Sequence, residues 1–251
     1  MKLQEQVAVI TGGGSGIGRA TALLFAREGA KLALVDRDAA AAEAVAAEIA
    51  ALGGEAMTRC SDVGAPDAAA VDAAAILARF GRIDLLYAAA GFSVGGTVLT
   101  TAPEDWDAVF RVHVGGTWLW ARAVIPAMQR QGGGAIITTS SQLAFAGGAG
   151  NSAYIAAKGA ILGLTRTMAL DFAADGIRVN AVVPGAIDTP LLRRSFERRP
   201  DPAAAMETSR NRHAMKRFGQ AEEVAEAVLH LATAGFTTGT TLVVDGGWLA
   251  A

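Results

Sequence analysis

Cysteine is all but absent from this chain: Cys60 is the only one, so no internal disulfide can form. Set in a strand-like run, it reads as a small buried residue of a reducing compartment. Charge is sparse and nearly balanced, with 22 basic against 24 acidic residues and a net charge of −2. That balance gives no reason to expect nucleic acid or an anionic membrane surface as a partner. No apolar run approaches the roughly 18 residues that a membrane span needs. The chain enters its first strand within a few residues, which leaves no room for a signal peptide. A soluble protein of the cytoplasm is expected, and no metal site. Proline numbers seven, and no Pro/Ser-rich linker or charge block divides the 251 residues, so one domain over 1–251 is expected. Apolar residues, by contrast, make up 52% of the chain, enough for a sizeable core.

Glycine is plentiful and concentrated where it carries chemistry. Residues 7–10 are a short apolar run that reads as a buried strand, followed by Thr11 and by glycines at 12, 13, 14, 16 and 18. A helical pattern opens from Gly16 and runs to about 28, with Gly29 closing it. A strand that breaks into glycines and reopens as a helix builds a phosphate site in an α/β fold. The backbone turns sharply, no Cβ blocks the anion, and the helix presents unpaired N–H groups and its positive dipole end. The frame G-x-G-x-x-G fails here, because position 17 is Ile17; T-G-x-x-x-G-x-G fits, through Thr11, Gly12, Gly16 and Gly18.

That spacing resembles the glycine loop of the short-chain dehydrogenase/reductase family. The likeness extends from Thr11 to Gly247. The second strand, 31–35, ends at Asp36, 18 residues past Gly18, where a dinucleotide fold places the carboxylate that grips the adenosine ribose. Such a carboxylate accepts from both ribose hydroxyls and repels a 2′-phosphate, so NAD is expected; Arg37 and Arg19 keep NADP as the alternative. Asp36 can also be read as a helix cap, although Asp38 serves that end for the helix over 39–52. A third strand, 55–60, precedes Ser61-Asp62-Val63, and the resemblance implies that Asp62 and Val63 meet the adenine. After a helix over 66–80, the fourth strand, 83–87, leads to Ala88-Ala89-Ala90-Gly91. The family usually has Asn-Asn-Ala-Gly there. Both asparagines are missing, so their support of neighbouring strands must come from elsewhere, while Ala90 and Gly91 still permit close approach of a cofactor.

Trp106-Asp107 opens a helical stretch to about 131. Within it His113 stands where the family has an asparagine that holds a water for a catalytic lysine. Imidazole can bind a water and titrates near neutrality, so His113 reads either as a pH-dependent relay or as a helix residue that fills space. A strand over 135–139 ends in Ser140-Ser141. Tyr154 follows 13 residues after Ser141, and Lys158 lies one helical turn beyond it. Ser141, Tyr154 and Lys158 match the family's strongest signature; Ser141 fits the spacing better than Ser140. The resemblance implies Tyr154 as general acid/base, a phenol made more acidic by the Lys158 ammonium. It implies Ser141 as donor to the substrate oxygen, and Lys158 as a second contact to the nicotinamide ribose. The small face carrying Ala156, Ala157, Gly159, Ala160 and Gly163 goes with the family's usual homotetramer.

A strand over 177–182 leads to Pro184, Gly185, Ala186, Ile187 and Thr189, matching the family's carboxamide-binding turn. Residues 191–217 are irregular and hold eight basic residues against three acidic ones. In the family this segment is a mobile lid; here it reads either as a solvated face or as a basic cover that attracts an anionic substrate or a phosphopantetheine carrier. A helix over 220–233 and a strand over 240–244 complete the chain. The expected fold is a doubly wound α/β sheet of about seven mainly parallel strands with helices on both faces. The expected activity is NAD(H)-dependent interconversion of a small secondary alcohol and a ketone. The alternatives are an NADP(H)-dependent ketone or 3-oxoacyl-carrier reductase, and a non-enzymatic dinucleotide sensor.

Overall fold

Strands β1 (Val7–Thr11), β2 (Lys31–Asp36), β3 (Ala56–Cys60), β4 (Leu85–Ala88), β5 (Gly134–Thr139), β6 (Ile177–Pro184) and β7 (Thr241–Val244) form one sheet in the order β3-β2-β1-β4-β5-β6-β7. This is a computed structural model, and it describes residues 1–250. Every pairing is parallel, from Val7 opposite Lys31 to Pro184 opposite Val244. Parallel strands need crossovers, and the crossovers place helices on both faces. Helices α1 (Gly16–Arg27), α2 (Ala39–Ala51) and α3 (Ala68–Phe80) connect the first four strands. Then come α4 (Pro103–Phe110), α5 (Gly116–Gln131), the single turn α6 (Leu143–Ala146) and the long α7 (Ser152–Asp171). Helices α8 (Pro190–Glu197), α9 (Pro202–Arg212) and α10 (Ala221–Thr233) precede β7.

Alternation along the strands divides the core in two. Ala8, Ile10, Leu32, Leu34, Tyr87 and Ile137 pack with Phe25, Val45, Ile49, Val228 and Leu231 on one face. Val7, Val9, Ala33, Val35, Leu86 and Ile136 pack with Ile76, Trp120, Val124, Met128 and Met168 on the other. Truncating a buried Ile10 or Leu34 to alanine should cost about 2–5 kcal/mol. A surface ion pair such as Lys31 with Glu5 contributes about 0–1 kcal/mol. The apolar faces, not the ion pairs, therefore hold the strand ends in place. Strand order reverses between β1 and β4, and a doubly wound sheet opens a crevice there, beyond the carboxyl ends of the strands.

Several expectations change. Cys60 is exposed rather than buried, its Sγ 3.6 Å from the Arg37 carbonyl, because β3 is the outer strand of the sheet. The lid is not irregular: Thr189 caps α8 through the Leu192 N–H, and Asp201 caps α9 through the Ala204 N–H at 3.0 Å, each followed by proline. The stretch over 106–131 begins earlier, at Pro103, and is interrupted by one π-turn, Arg111–Gly115. Near the missing asparagines one hydroxyl ties β1 to the segment after β4, and other side-chain bonds brace β5 and β6. Thr11 Oγ1 accepts from the Ala90 N–H at 3.3 Å, Thr138 and Thr165 share a buried hydrogen bond of 2.7 Å, and Asn180 ties β6 to Thr237 and Thr240. Asp38 caps α2 by accepting from the Ala41 N–H at 3.0 Å, which leaves Asp36 without a capping duty. Among the described residues, no helix is long and apolar enough to cross a membrane.

Candidate functional site

Beyond β1 the chain turns through Gly12 in the left-handed region, at a φ of +68°. A Cβ on Gly12 would lie 2.9 Å from Ala90 Cα, and one on Gly18 would lie 2.1 Å from the Gly12 carbonyl oxygen. The glycines are thus demanded by contact between the loop, α1 and the segment after β4. Ser15 occupies the N-cap position in extended conformation and makes no side-chain cap bond, so the first N–H groups of α1 stay available to an anion.

A cleft of about 440 Å³ runs along this loop. Gly12, Ser15, Gly16, Ile17 and Gly18 line it with Asp36, Asp62, Val63, Ala90, Gly91 and Thr189. Asp36 is fixed at its wall: one carboxylate oxygen accepts from the Gly14 N–H at 3.0 Å and the other from the Asp38 N–H at 3.1 Å. Each oxygen retains a lone pair for a further donor. Asp62 is held by Arg111 at 2.7 Å and by the Gly64 N–H at 2.9 Å. Burial raises its pKa, but the guanidinium and the amide outweigh burial and keep the carboxyl below its ordinary value. A dinucleotide suits this cleft. Its glycine wall and open helix terminus match a pyrophosphate, and a carboxylate with spare lone pairs matches a ribose diol.

Ser141, Tyr154, Lys158 and His113 come together beside the cleft. Ser140, buried, donates to the Lys158 carbonyl oxygen at 2.8 Å and is a packing residue. Ser141 turns the other way, accepting from the Leu143 N–H at 3.2 Å and meeting the Tyr154 phenol. Lys158, buried on α7, donates to the Thr139 carbonyl at 2.7 Å, and its ammonium lies 5.5 Å from the Tyr154 ring centroid. Burial pushes its pKa down to about 7. Burial pushes the Tyr154 phenol up, offset in part by Ser141. The expectation that Lys158 lowers the phenol is therefore not met in this state. In dry surroundings both groups favour the uncharged form.

His113 joins the two parts of the site. Its Nε2 lies 2.8 Å from the Phe92 carbonyl oxygen and 3.1 Å from the Phe92 nitrogen, and a Cβ on Gly91 would lie 2.3 Å from its Cε1. The ring meets Tyr154 edge-on at 5.5 Å between centroids. Its Nδ1 is buried without a hydrogen-bond partner among the described residues. Burial and the charge of Lys158 drive its pKa down to about 3, so the expected titration near neutrality is overturned: the imidazole stays neutral. It is carried by a π-turn, a one-residue insertion in a helix that is frequent at functional sites.

Besides Tyr154 and Lys158, three expected cofactor residues do not line this cleft. Gly185 and Ile187 line a separate cavity of about 250 Å³ with His213 and Asp245, and Pro184 ends β6 without reaching the cleft wall. Thr189 does line the cleft, but its hydroxyl donates to the Ile187 carbonyl at 3.2 Å and caps α8. Cleft residues that the sequence reading did not assign to the site include Ala41, Arg111, Val112 and Pro190, whereas Phe92 and Arg194 fall in segments expected to shape the pocket. Arg111 shows no sequence sign, because its partner Asp62 is 49 residues away. Among the described residues, no cluster of metal-ligating side chains occurs.

A family model described as enoyl-(acyl carrier protein) reductase matches residues 12–249. The chain is 39% identical over 250 residues to dehydrogenase/reductase SDR family member 6 of Rattus norvegicus, with 98% of each chain covered. It superposes on levodione reductase with a TM-score of 0.96 at 36% identity, covering 99% of each chain. Against NAD⁺-bound xylitol dehydrogenase the TM-score is 0.95 at 32% identity, covering 98% of this chain and 100% of that one.

Proposed function

This chain belongs to the short-chain dehydrogenase/reductase family, and from that membership we propose that it interconverts a secondary alcohol and a ketone with NAD(H), Tyr154 serving as general acid/base. Oxidoreductase chemistry on a CH–OH group and a nicotinamide dinucleotide come with the family. The observation that carries the finer reading is the meeting of Ser141, Tyr154 and Lys158 beside a glycine-walled cleft that also contains Asp36.

The nicotinamide ring supplies the hydride acceptor or donor when bound. In oxidation Tyr154 Oη takes the carbinol proton; in reduction it returns a proton to the carbonyl oxygen. Ser141 Oγ donates to that same oxygen as charge develops on it. Lys158, with a pKa near 7, gains or loses a proton at Nζ near neutrality and passes it toward Tyr154. The neutral His113 presents its unpaired Nδ1 to a water that extends this path. Gly12, Ser15, Gly16, Ile17 and Gly18 hold the pyrophosphate, and Asp36 holds the adenosine ribose. Asp62 and Val63 hold the adenine; Ala90 and Gly91 allow close approach. Pro184, Gly185 and the backbone of Ile187 shape the turn beneath Thr189 at the carboxamide. The working form is a homotetramer of one-domain chains.

Arg37 lines the cleft next to Asp36 and supports NADP(H) as the second reading. A screen of secondary alcohols and ketones with both cofactors, read by the absorbance of reduced nicotinamide, separates the two. A kcat/KM at least about tenfold higher with NAD(H) is expected; a preference for NADP(H) overturns the assignment of Asp36. Turnover that vanishes with Tyr154 removes the non-enzymatic sensor.

A further inference from the structure

Resting on the oxidoreductase reading above, we infer that the substrate carries an oxyanion, carboxylate or phosphate, remote from its carbinol carbon, and that Arg198 and Arg199 bind it. The lid's excess of positive charge is not spread evenly. Arg193 pairs with Asp188, Arg217 pairs with Glu223, and Lys216 donates to the Asn211 carbonyl. Arg194, Arg198, Arg199, Arg210 and Arg212 make no ion pair among the described residues, and of these Arg198 and Arg199 stand together at the end of α8. Asp201, the next acid, is engaged as the cap of α9.

Their position gives the unpaired charge a target. Just before them on α8, Phe196 is buried and stacks on Phe218 at 5.9 Å, which anchors the end of the helix. Arg198 then reaches the loop after β4: a Cβ on Gly95 would lie 4.0 Å from its Nε. Arg199 reaches the loop before α7: a Cβ on Gly150 would lie 3.8 Å from its Nη1. A bridge between Gly96 and Asn151 joins these two loops. Phe92 and Val94 of the first loop pack on Ala153 and Ala157, which adjoin Tyr154 and Lys158 respectively along α7. Glycine at both contact points leaves no side chain between guanidinium and loop. An oxyanion held by both would accept paired N–H bonds from each planar fork. A face that is merely solvated needs neither the anchor nor the two loop contacts.

The test is calorimetric titration of the NAD-saturated protein with pentanoate, butyl phosphate and the neutral pentanamide, in wild type and in R198Q/R199Q. Wild type should bind one of the two anions at least about tenfold more tightly than the amide. The preference should fall to about twofold or less in the double variant, and shrink in about 0.5 M salt, where exposed charges are screened. Pentanoate favoured over butyl phosphate identifies a carboxylate site, and the reverse a phosphate site. Equal binding of anion and amide, no binding of either anion, or a preference that survives R198Q/R199Q overturns the inference. Tyr154→Phe separates it from the reading beneath. Anion preference without Tyr154-dependent turnover of any alcohol supports the arginine site and overturns the oxidoreductase reading. Tyr154-dependent turnover without anion preference does the opposite.

Discussion

His113 is 2% exposed and its pKa falls from 6.5 to about 3, so between those values the unfolded chain binds a proton that the folded chain refuses. Stability then rises with pH through that window, and acidification from pH 7 to 5 should draw on this one group for about 2 kcal/mol of destabilisation. Lys158, lowered from 10.5 to about 7, adds the same sign over a higher window, so stability should also rise from pH 7 toward 10. Denaturant titration at pH 7 and 5 checks the first claim: His113→Gln should lose clearly less stability on acidification than wild type, and an identical loss would mean that His113 is not the group responsible. His113→Ala should lower turnover while cofactor affinity stays the same, as a residue of the proton path requires. Under the proposed NAD(H) reading, the charge of Asp36, not its shape, selects the cofactor. Asp36→Asn keeps a side-chain oxygen for a backbone N–H but no longer repels a 2′-phosphate. The ratio of kcat/KM for NAD over NADP should fall about tenfold or more.

Between elements, the loop after β4 and the π-turn before α5 are fitted so closely that only hydrogen on Gly91 leaves room for the imidazole. Gly91→Ala should displace His113 and lower turnover. Because the two side chains occupy one space, Gly91→Ala combined with His113→Ala should be less harmful than the sum of the single changes, with a coupling of about 1–3 kcal/mol in stability. Strict additivity would mean that the two segments are not coupled. This junction also marks what the sequence does and does not tell. Strands and crossover helices were legible because burial on one or both faces writes a period into them, and the parallel order followed from strand–glycine–helix punctuation. The π-turn was not, because one inserted residue leaves helical periodicity nearly intact. Helices α8 and α9 were hidden by their charge, although Thr189-Pro190 and Asp201-Pro202 are helix-start signals that a closer reading of caps would have found. The Ser141, Tyr154, Lys158 spacing was legible; the protonation of those groups was not, since burial is a property of the packed molecule.

Across the whole molecule, the same sheet that aligns the site also leaves surfaces bare. Cβ atoms built on Gly159 and Gly163 of α7 meet nothing within 4 Å, whereas Ala157, expected on the same small face, is buried against Val109 and Ala153. If copies of the chain pack through that open face, Gly163→Trp should leave a folded chain with native circular dichroism while sedimentation shows a species smaller than four copies. An unchanged assembly would remove this face from the interface. The central claim concerns a single proton, held by a phenol that burial keeps neutral until substrate and cofactor surround it. It is tested most directly by measuring NADH affinity and turnover together in Tyr154→Phe. The account predicts an unchanged dissociation constant with turnover lowered at least about 10³-fold; near-full activity in that variant would contradict it.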